Sequence, residues 1–260
     1  MRSLSLGALA VAGAAAATAA VVGSVAALWP AGGSVETRVA SPESDLAPAG
    51  MRLVGLAGAA VAVPQEWATN AHTCGTPISD TVVIDLGPVL ACAAPRPAGV
   101  DSVEVTSWAP RSGFTADETF EIDGVSALRQ STACQPDLAD EAVDVCAGTV
   151  HIPSMGVYFR AESSTDAEAD RILERIQILP DRIGVPGFRG YLLNEQEDGE
   201  IAYLDALEKA GLVPDVQPAD VPLVSPGPVV DVSPEPGTML KPGDFVTVTV
   251  AAQWLDGPPG

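Results

Sequence analysis

The chain has 260 residues, with 34 acidic side chains against 13 basic ones and a formal net charge of −21. This length allows one or two domains whose cores are large enough to fold without a metal, and no cofactor is expected. The acidity disfavours nucleic acids and anionic membrane surfaces as partners, because like charges repel each other.

Residues 1–29 predict export of the chain. Positions 4–29 carry no charged side chain, and Arg2 precedes them. As a helix this apolar run would extend for about 39 Å, enough to cross a hydrocarbon core of ~30 Å. The run is longer than the apolar region of most signal peptides, and Trp29 could anchor it at the outer interface, which favours an uncleaved signal-anchor. A cleaved signal peptide stays open as the alternative, because Ala17-Thr18-Ala19 is a small-residue cleavage site.

Both interpretations place the rest of the chain outside the cytoplasm, because the positively charged end of such a segment stays inside. We therefore expect a single-pass protein of the cell membrane with extracytoplasmic domains or, alternatively, a secreted protein. Residues 30–50 are rich in Pro, Gly, Ser and Ala without periodicity, and they predict a flexible linker.

Residues 51–180 predict a domain made mainly of β-strands. Short apolar or alternating runs recur between turn signals, and Asp123-Gly124 predicts the two-residue turn of a β-hairpin. The predicted strands are 59–63, 81–86, 103–106, 120–122, 125–128, 149–152 and 157–161.

One helix follows these strands. Thr165 and Glu168 form a capping-box pattern, and the apolar stripe behind it consists of Ala169, Ile172, Leu173 and Ile176. Many strands and a single late helix predict the α+β fold class, with the helix packed on an antiparallel sheet.

The four cysteines predict two disulfides in an exported domain. Their positions do not give the close ligand spacing of a zinc site, so no metal site is expected. Pairing in sequence order is favoured among the three possible connectivities, which would join Cys74 to Cys92 and Cys134 to Cys146.

No catalytic constellation is evident in the sequence. His72 and His151 are the only histidines, and no nucleophile elbow of the Gly-x-Ser-x-Gly type is present. We therefore expect a protein that is not an enzyme. An apolar strand that runs into Pro64-Gln65-Glu66-Trp67, followed by several strands and a late helix, is similar to secreted Mog1/PsbP-like domains, a resemblance that transfers no catalytic residue.

Residues 183–251 predict a small module with one helix and three strands, followed by a tail at 252–260. The helix is expected from about Gly199 to Ala210, with Gly211 at the position after its end where a left-handed backbone is needed. The predicted strands begin at Val213, span 229–232 and span 245–250, and turns lie at 235–238 and 241–244.

This module resembles the PASTA domain of penicillin-binding proteins and of bacterial Ser/Thr kinases. The resemblance rests on Val185-Pro186, Ala210-Gly211-Leu212, the run Ser-Pro-Glu-Pro-Gly-Thr at 233–238, Gly243 and the final Val-x-Val strand. It implies a module that faces the bacterial cell wall and that in some members binds muropeptide fragments of peptidoglycan. Candidate contact residues, chosen by expected exposure, are Arg189, Tyr191, Glu235 and Lys241.

The leading hypothesis is a non-catalytic envelope protein whose module binds peptidoglycan or a protein of wall synthesis. The alternative is a regulatory subunit of an envelope enzyme, or an enzyme with a cryptic site in 51–180.

The division at the Pro180–Gly184 connection further predicts two domains that unfold in two thermal transitions.

Overall fold

The computed structural model describes residues 46–85, 94–110, 112–137, 139–188, 199–219 and 229–251. These residues belong to one compact unit, which is mostly β-sheet with two helices. The expected N-terminal helix, most of the linker and the tail lie outside the described residues. Among the residues that are described, no helix is long and apolar enough to cross a membrane.

Most of the strands precede the first helix in the chain. The elements are β1 Met51–Leu56, β2 Ala59–Pro64, β3 Ala68–Thr69, β4 His72–Thr73, β5 Thr76–Pro77, β6 Thr81–Ile84, β7 Ser102–Thr106, β8 Glu118–Ile122, β9 Val125–Pro136, β10 Asp144–Ile152, β11 Val157–Ser163, α1 Asp166–Leu173, β12 Ile176–Ile178, β13 Ile183–Gly184, α2 Gly199–Ala210, β14 Val213–Ala219, β15 Val229–Ser233, β16 Met239–Leu240 and β17 Phe245–Ala251.

Two main sheets and the two-stranded pair β4-β5 make up the part from β1 to β12, which we call the sheet domain. The larger has the order β3-β6-β7-β11-β10-β9-β8, and the smaller has the order β1-β2-β12. The β8–β9 hairpin turns at Asp123 and Gly124, with φ of 50° and 81°, as the sequence predicts. The sequence predicts an antiparallel sheet, but the larger sheet is mixed. Strand β6 pairs with β7 in parallel, and β3 pairs with β6 in parallel.

The core of the sheet domain lies between the two sheets and α1. Strand β11 alternates buried and partly exposed residues, and Phe159 at its centre has an exposed fraction of 0%. Helix α1 contributes three buried side chains to the same core, which are Ala169, Ile172 and Leu173. Burial of these apolar side chains is the main favourable term for this fold.

Helix α1 begins as predicted and ends earlier than predicted. Thr165 is its N-cap, and its hydroxyl oxygen accepts a hydrogen bond of 3.2 Å from the Glu168 N–H. The expected helical position of Ile176 is wrong, because the helix ends at Leu173 and Ile176 pairs with Val61 of β2. Sheet pairing at this edge therefore overrides the helical spacing of the apolar residues.

The disulfides are located in the sheet domain. Cys134 of β9 and Cys146 of β10 lie directly opposite each other and are bonded, which is the pairing that the sequence favours. Cys74 is also disulfide-bonded. Because Cys92 lies outside the described residues, its pairing with Cys74 stays a prediction.

The C-terminal elements from β13 to β17 form the module. Its sheet has the order β14-β17-β15, in which β14 joins β17 in parallel and β15 joins it antiparallel. The two-residue strands β13 and β16 pair beside this sheet. Helix α2 spans the predicted residues and packs on β14, so the predicted helix with three strands is present in this part of the chain.

Candidate functional site

The end of α2 determines how the chain enters the first strand of the module. Gly211 has a φ of 87°, the Leu212 N–H donates to Leu207 O at 2.9 Å, and the Gly211 N–H donates to Glu208 O at 2.9 Å. This pair of bonds is a Schellman motif, which needs a residue that tolerates a left-handed backbone at the position of Gly211. The motif reverses the chain from α2 into β14.

Helix α2 contacts the sheet of the module through Tyr203 and Leu207. Both are buried, with exposed fractions of 6% and 0%, against the fully buried Val246 and Val248 of β17. The Tyr203 hydroxyl donates to Pro186 O at 3.0 Å, and burial raises the pKa of this hydroxyl above its ordinary value. Leu204 of the same helix is only partly buried.

The most specific predicted motif, at 233–238, forms a turn that faces the sheet domain. Pro236 and Gly237 are buried, whereas Glu235 is exposed. The Thr238 N–H donates to Glu235 O at 3.1 Å and closes the turn. The Ser233-Pro234 peptide bond is cis.

Glu235, a predicted contact residue, is paired with an arginine of the sheet domain. Nη1 of Arg52 on β1 lies 2.9 Å from Oε1 of Glu235, and Nη2 of Arg52 donates to Trp67 O and to Thr69 Oγ1, both at 2.9 Å. Burial lowers the pKa of Arg52, and the nearby carboxylate of Glu235 partly opposes that shift. Sequence reasoning missed Arg52, because no spacing rule relates positions that are this far apart.

The other predicted contact residues are distributed differently. Arg189 and Tyr191 lie outside the described residues. Lys241 is exposed in the second turn, where its N–H donates to Asp244 Oδ2 at 2.9 Å. Glu235 and Lys241 therefore belong to separate turns, and their role as ligand contacts stays a prediction.

The outer face of the module's sheet presents two exposed apolar side chains and a set of hydrogen-bonding groups. Phe245 at the start of β17 has an exposed fraction of 66%, and its neighbour on β14 in the register is Val213, at 38%. Farther along the same face lie polar residues of the three strands, which are Asp215, Gln217, Asp231, Ser233, Thr247 and Thr249. Such a face offers an apolar contact and polar partners on a rigid sheet, which are the features of a binding surface.

The edge strand β14 is protected against pairing with another chain. The Val213 N–H donates to Asp244 O, toward β17, so the N–H positions of residues 214, 216 and 218 point to the open edge. Pro214 and Pro218 occupy two of these positions and have no N–H to offer. The edge of β14 therefore does not favour strand addition, and the outer face is an accessible surface of this sheet.

The two histidines occupy structural positions. Nδ1 of His72 accepts a hydrogen bond of 3.3 Å from the Gly75 N–H. His151 stacks on Tyr158 at a centroid distance of 3.9 Å, with Phe114 edge-on to both rings. Burial lowers the pKa of both histidines. Within the described ranges no group of His, Cys, Asp or Glu is arranged to hold a metal ion.

A helix that ends in a Schellman motif, a three-stranded mixed sheet and a Pro-Gly-Thr turn define the module as a small αβ domain. The family model of the PASTA domain matches residues 202–252, so the chain carries a PASTA domain at its C-terminal end. The resemblance of 51–180 to Mog1/PsbP-like domains stays a prediction.

No curated protein matches the chain. The crystal structure of penicillin-binding protein 2X from Streptococcus thermophilus matches with 11% identity and a TM-score of 0.19, over 50% of this chain and 22% of that one. The chain thus corresponds to less than a quarter of that protein.

Proposed function

We propose that this chain is a non-catalytic protein of the bacterial cell envelope whose PASTA domain faces the cell wall and binds peptidoglycan or a protein of wall synthesis. The observation that supports this most is the PASTA match over 202–252, on a segment that folds around its own core. In this proposal the N-terminal segment holds the protein in the membrane, or is cleaved to release it. The Cys134–Cys146 disulfide agrees with a location outside the cytosol.

The contact surface in this proposal includes the turn of Lys241 and the adjacent outer face. Lys241 and Phe245 flank this turn and are both exposed. A cation attracts the carboxylates of wall peptides, and an exposed ring packs against sugar or peptide.

Co-sedimentation of the detergent-solubilised full-length chain with purified peptidoglycan tests this proposal. The unaltered protein should pellet with the wall, and Lys241→Ala should weaken binding about threefold to tenfold, the effect of roughly 1 kcal/mol. Lys209→Ala is the matched control, because Lys209 is also exposed but lies in the last turn of α2. Equal binding by both variants would remove Lys241 from the contact surface. Absence of binding by the unaltered protein would leave a protein of wall synthesis as the partner, to be sought by cross-linking in cells.

A further inference from the structure

The turn at 235–238 is attached to β1 of the sheet domain by main-chain bonds. The Gly55 N–H donates to Gly237 O at 2.9 Å, and Val54 and Thr238 form an isolated antiparallel bridge. The same turn is held from the side of the module, because the Gly237 N–H donates to Val185 O at 2.7 Å and the Val185 N–H donates to Thr238 O at 3.0 Å. Strand β1 pairs with β2 on its other side, so the turn satisfies polar groups at an otherwise open edge.

The contact is too close for side chains at its glycines. A Cβ atom on Gly237 would lie 2.9 Å from Cδ1 of Ile84 and would overlap Cγ1 of Val54. A Cβ on Gly184 would overlap the carbonyl oxygen of Gly55. Such backbone-to-backbone proximity is typical of a packed interior and not of two domains joined by a linker.

Apolar and charged contacts add to the main-chain bonds between the turn and the sheet domain. Met239 of the module packs with Ala60 and Leu179 in a small buried cluster. The Arg52–Glu235 ion pair lies at the rim. Main-chain bonds, apolar packing and an ion pair therefore act at one place.

We propose that the Glu235–Thr238 turn is a docking surface whose partner is the open edge of β1 in the same chain, and that it fixes the module in one orientation on the sheet domain. The turn with the most specific PASTA motif is then used inside the molecule, and the outer face of the β14-β17-β15 sheet stays available to other partners. This inference is independent of wall binding. It replaces the expected two thermal transitions with one.

Hydrogen exchange on the full-length chain tests the docking. The Gly55 amide, bonded to Gly237 O, reports the contact between the turn and β1. The Leu212 amide, bonded to Leu207 O, reports whether the module itself is folded. Gly237→Ala should raise the exchange rate of the Gly55 amide at least about tenfold, equal to about 1.4 kcal/mol. This increase should exceed any change in the exchange rate of the Leu212 amide. Gly243→Ala is the matched control, because Gly243 has a φ of 86° and no atom near its Cβ position, so it introduces backbone strain without a clash.

A second variant separates loss of docking from loss of folding. Glu235→Arg places a like charge beside Arg52 on an exposed position of the turn, so it should speed exchange at Gly55 and leave Leu212 protected. Docking is supported if Gly55 loses protection in both Gly237→Ala and Glu235→Arg and keeps it in Gly243→Ala. Docking is overturned if Gly55 exchanges in Gly237→Ala and Glu235→Arg as slowly as in Gly243→Ala.

Discussion

Leu207→Ala should lower the free energy of unfolding by ~2–5 kcal/mol, the usual cost of a large-to-small change in a core. Leu207 has an exposed fraction of 0% and is surrounded by Tyr203, Leu212 and the buried valines of β17. The module has few other side chains that could move into the space, so the cavity term should stay large. Chemical denaturation of the full-length protein, followed by circular dichroism, measures the loss.

Leu204→Ala is the control for this change. It removes the same atoms from the same helix at a position that is only partly buried, so its cost should be clearly smaller. Equal losses for the two variants would mean that helix α2 does not pack on the sheet through the face that contains Leu207.

Phe159→Ala should lower the free energy of unfolding by ~3–5 kcal/mol. The ring lies at the centre of β11 with an exposed fraction of 0%, between neighbouring strands β10 and β7. Because globular proteins have a total stability of about 5–15 kcal/mol, this loss removes a substantial share of it and should lower the melting temperature by roughly 6–20 °C. The melting temperature of the full-length protein measures it.

Phe245→Ala is the matched control for the ring in the core. Phe245 has the same chemistry and an exposed fraction of 66%, so its replacement should leave the melting temperature nearly unchanged. A loss for Phe245→Ala as large as that for Phe159→Ala would contradict the exposed outer face on which the proposed wall contact depends.

Local patterns predicted the elements whose signals are complete within a few residues. Asp123-Gly124 supplied the two positive φ angles of the β8–β9 turn, and Gly211 supplied the one that ends α2. The alternation of β11 and β17 was readable because each strand buries one face only.

The elements that depend on distant partners could not be predicted in the same way. Strand β1 was not predicted, because its residues are partly buried at one end and fully buried at the other, without alternation. The helical spacing of the apolar residues places Ile176 in α1, because its pairing with Val61 of β2 spans more than a hundred positions and no local pattern shows it. The Arg52–Glu235 pair and the docking at Gly237 depend on how two parts of the chain meet, which no local pattern encodes.

The proposed function requires the PASTA domain to lie outside the cell membrane, and the two lysines of the chain can report its location. Lys209 and Lys241 are its two lysines, both lie in the module, and both are exposed. A membrane-impermeant amine reagent applied to intact cells should therefore modify both, as detected by mass spectrometry of the peptides, and replacement of both lysines by arginine should abolish this labelling. Labelling of these peptides only after the cells are broken open would contradict the extracytoplasmic location and, with it, the proposed contact with the cell wall.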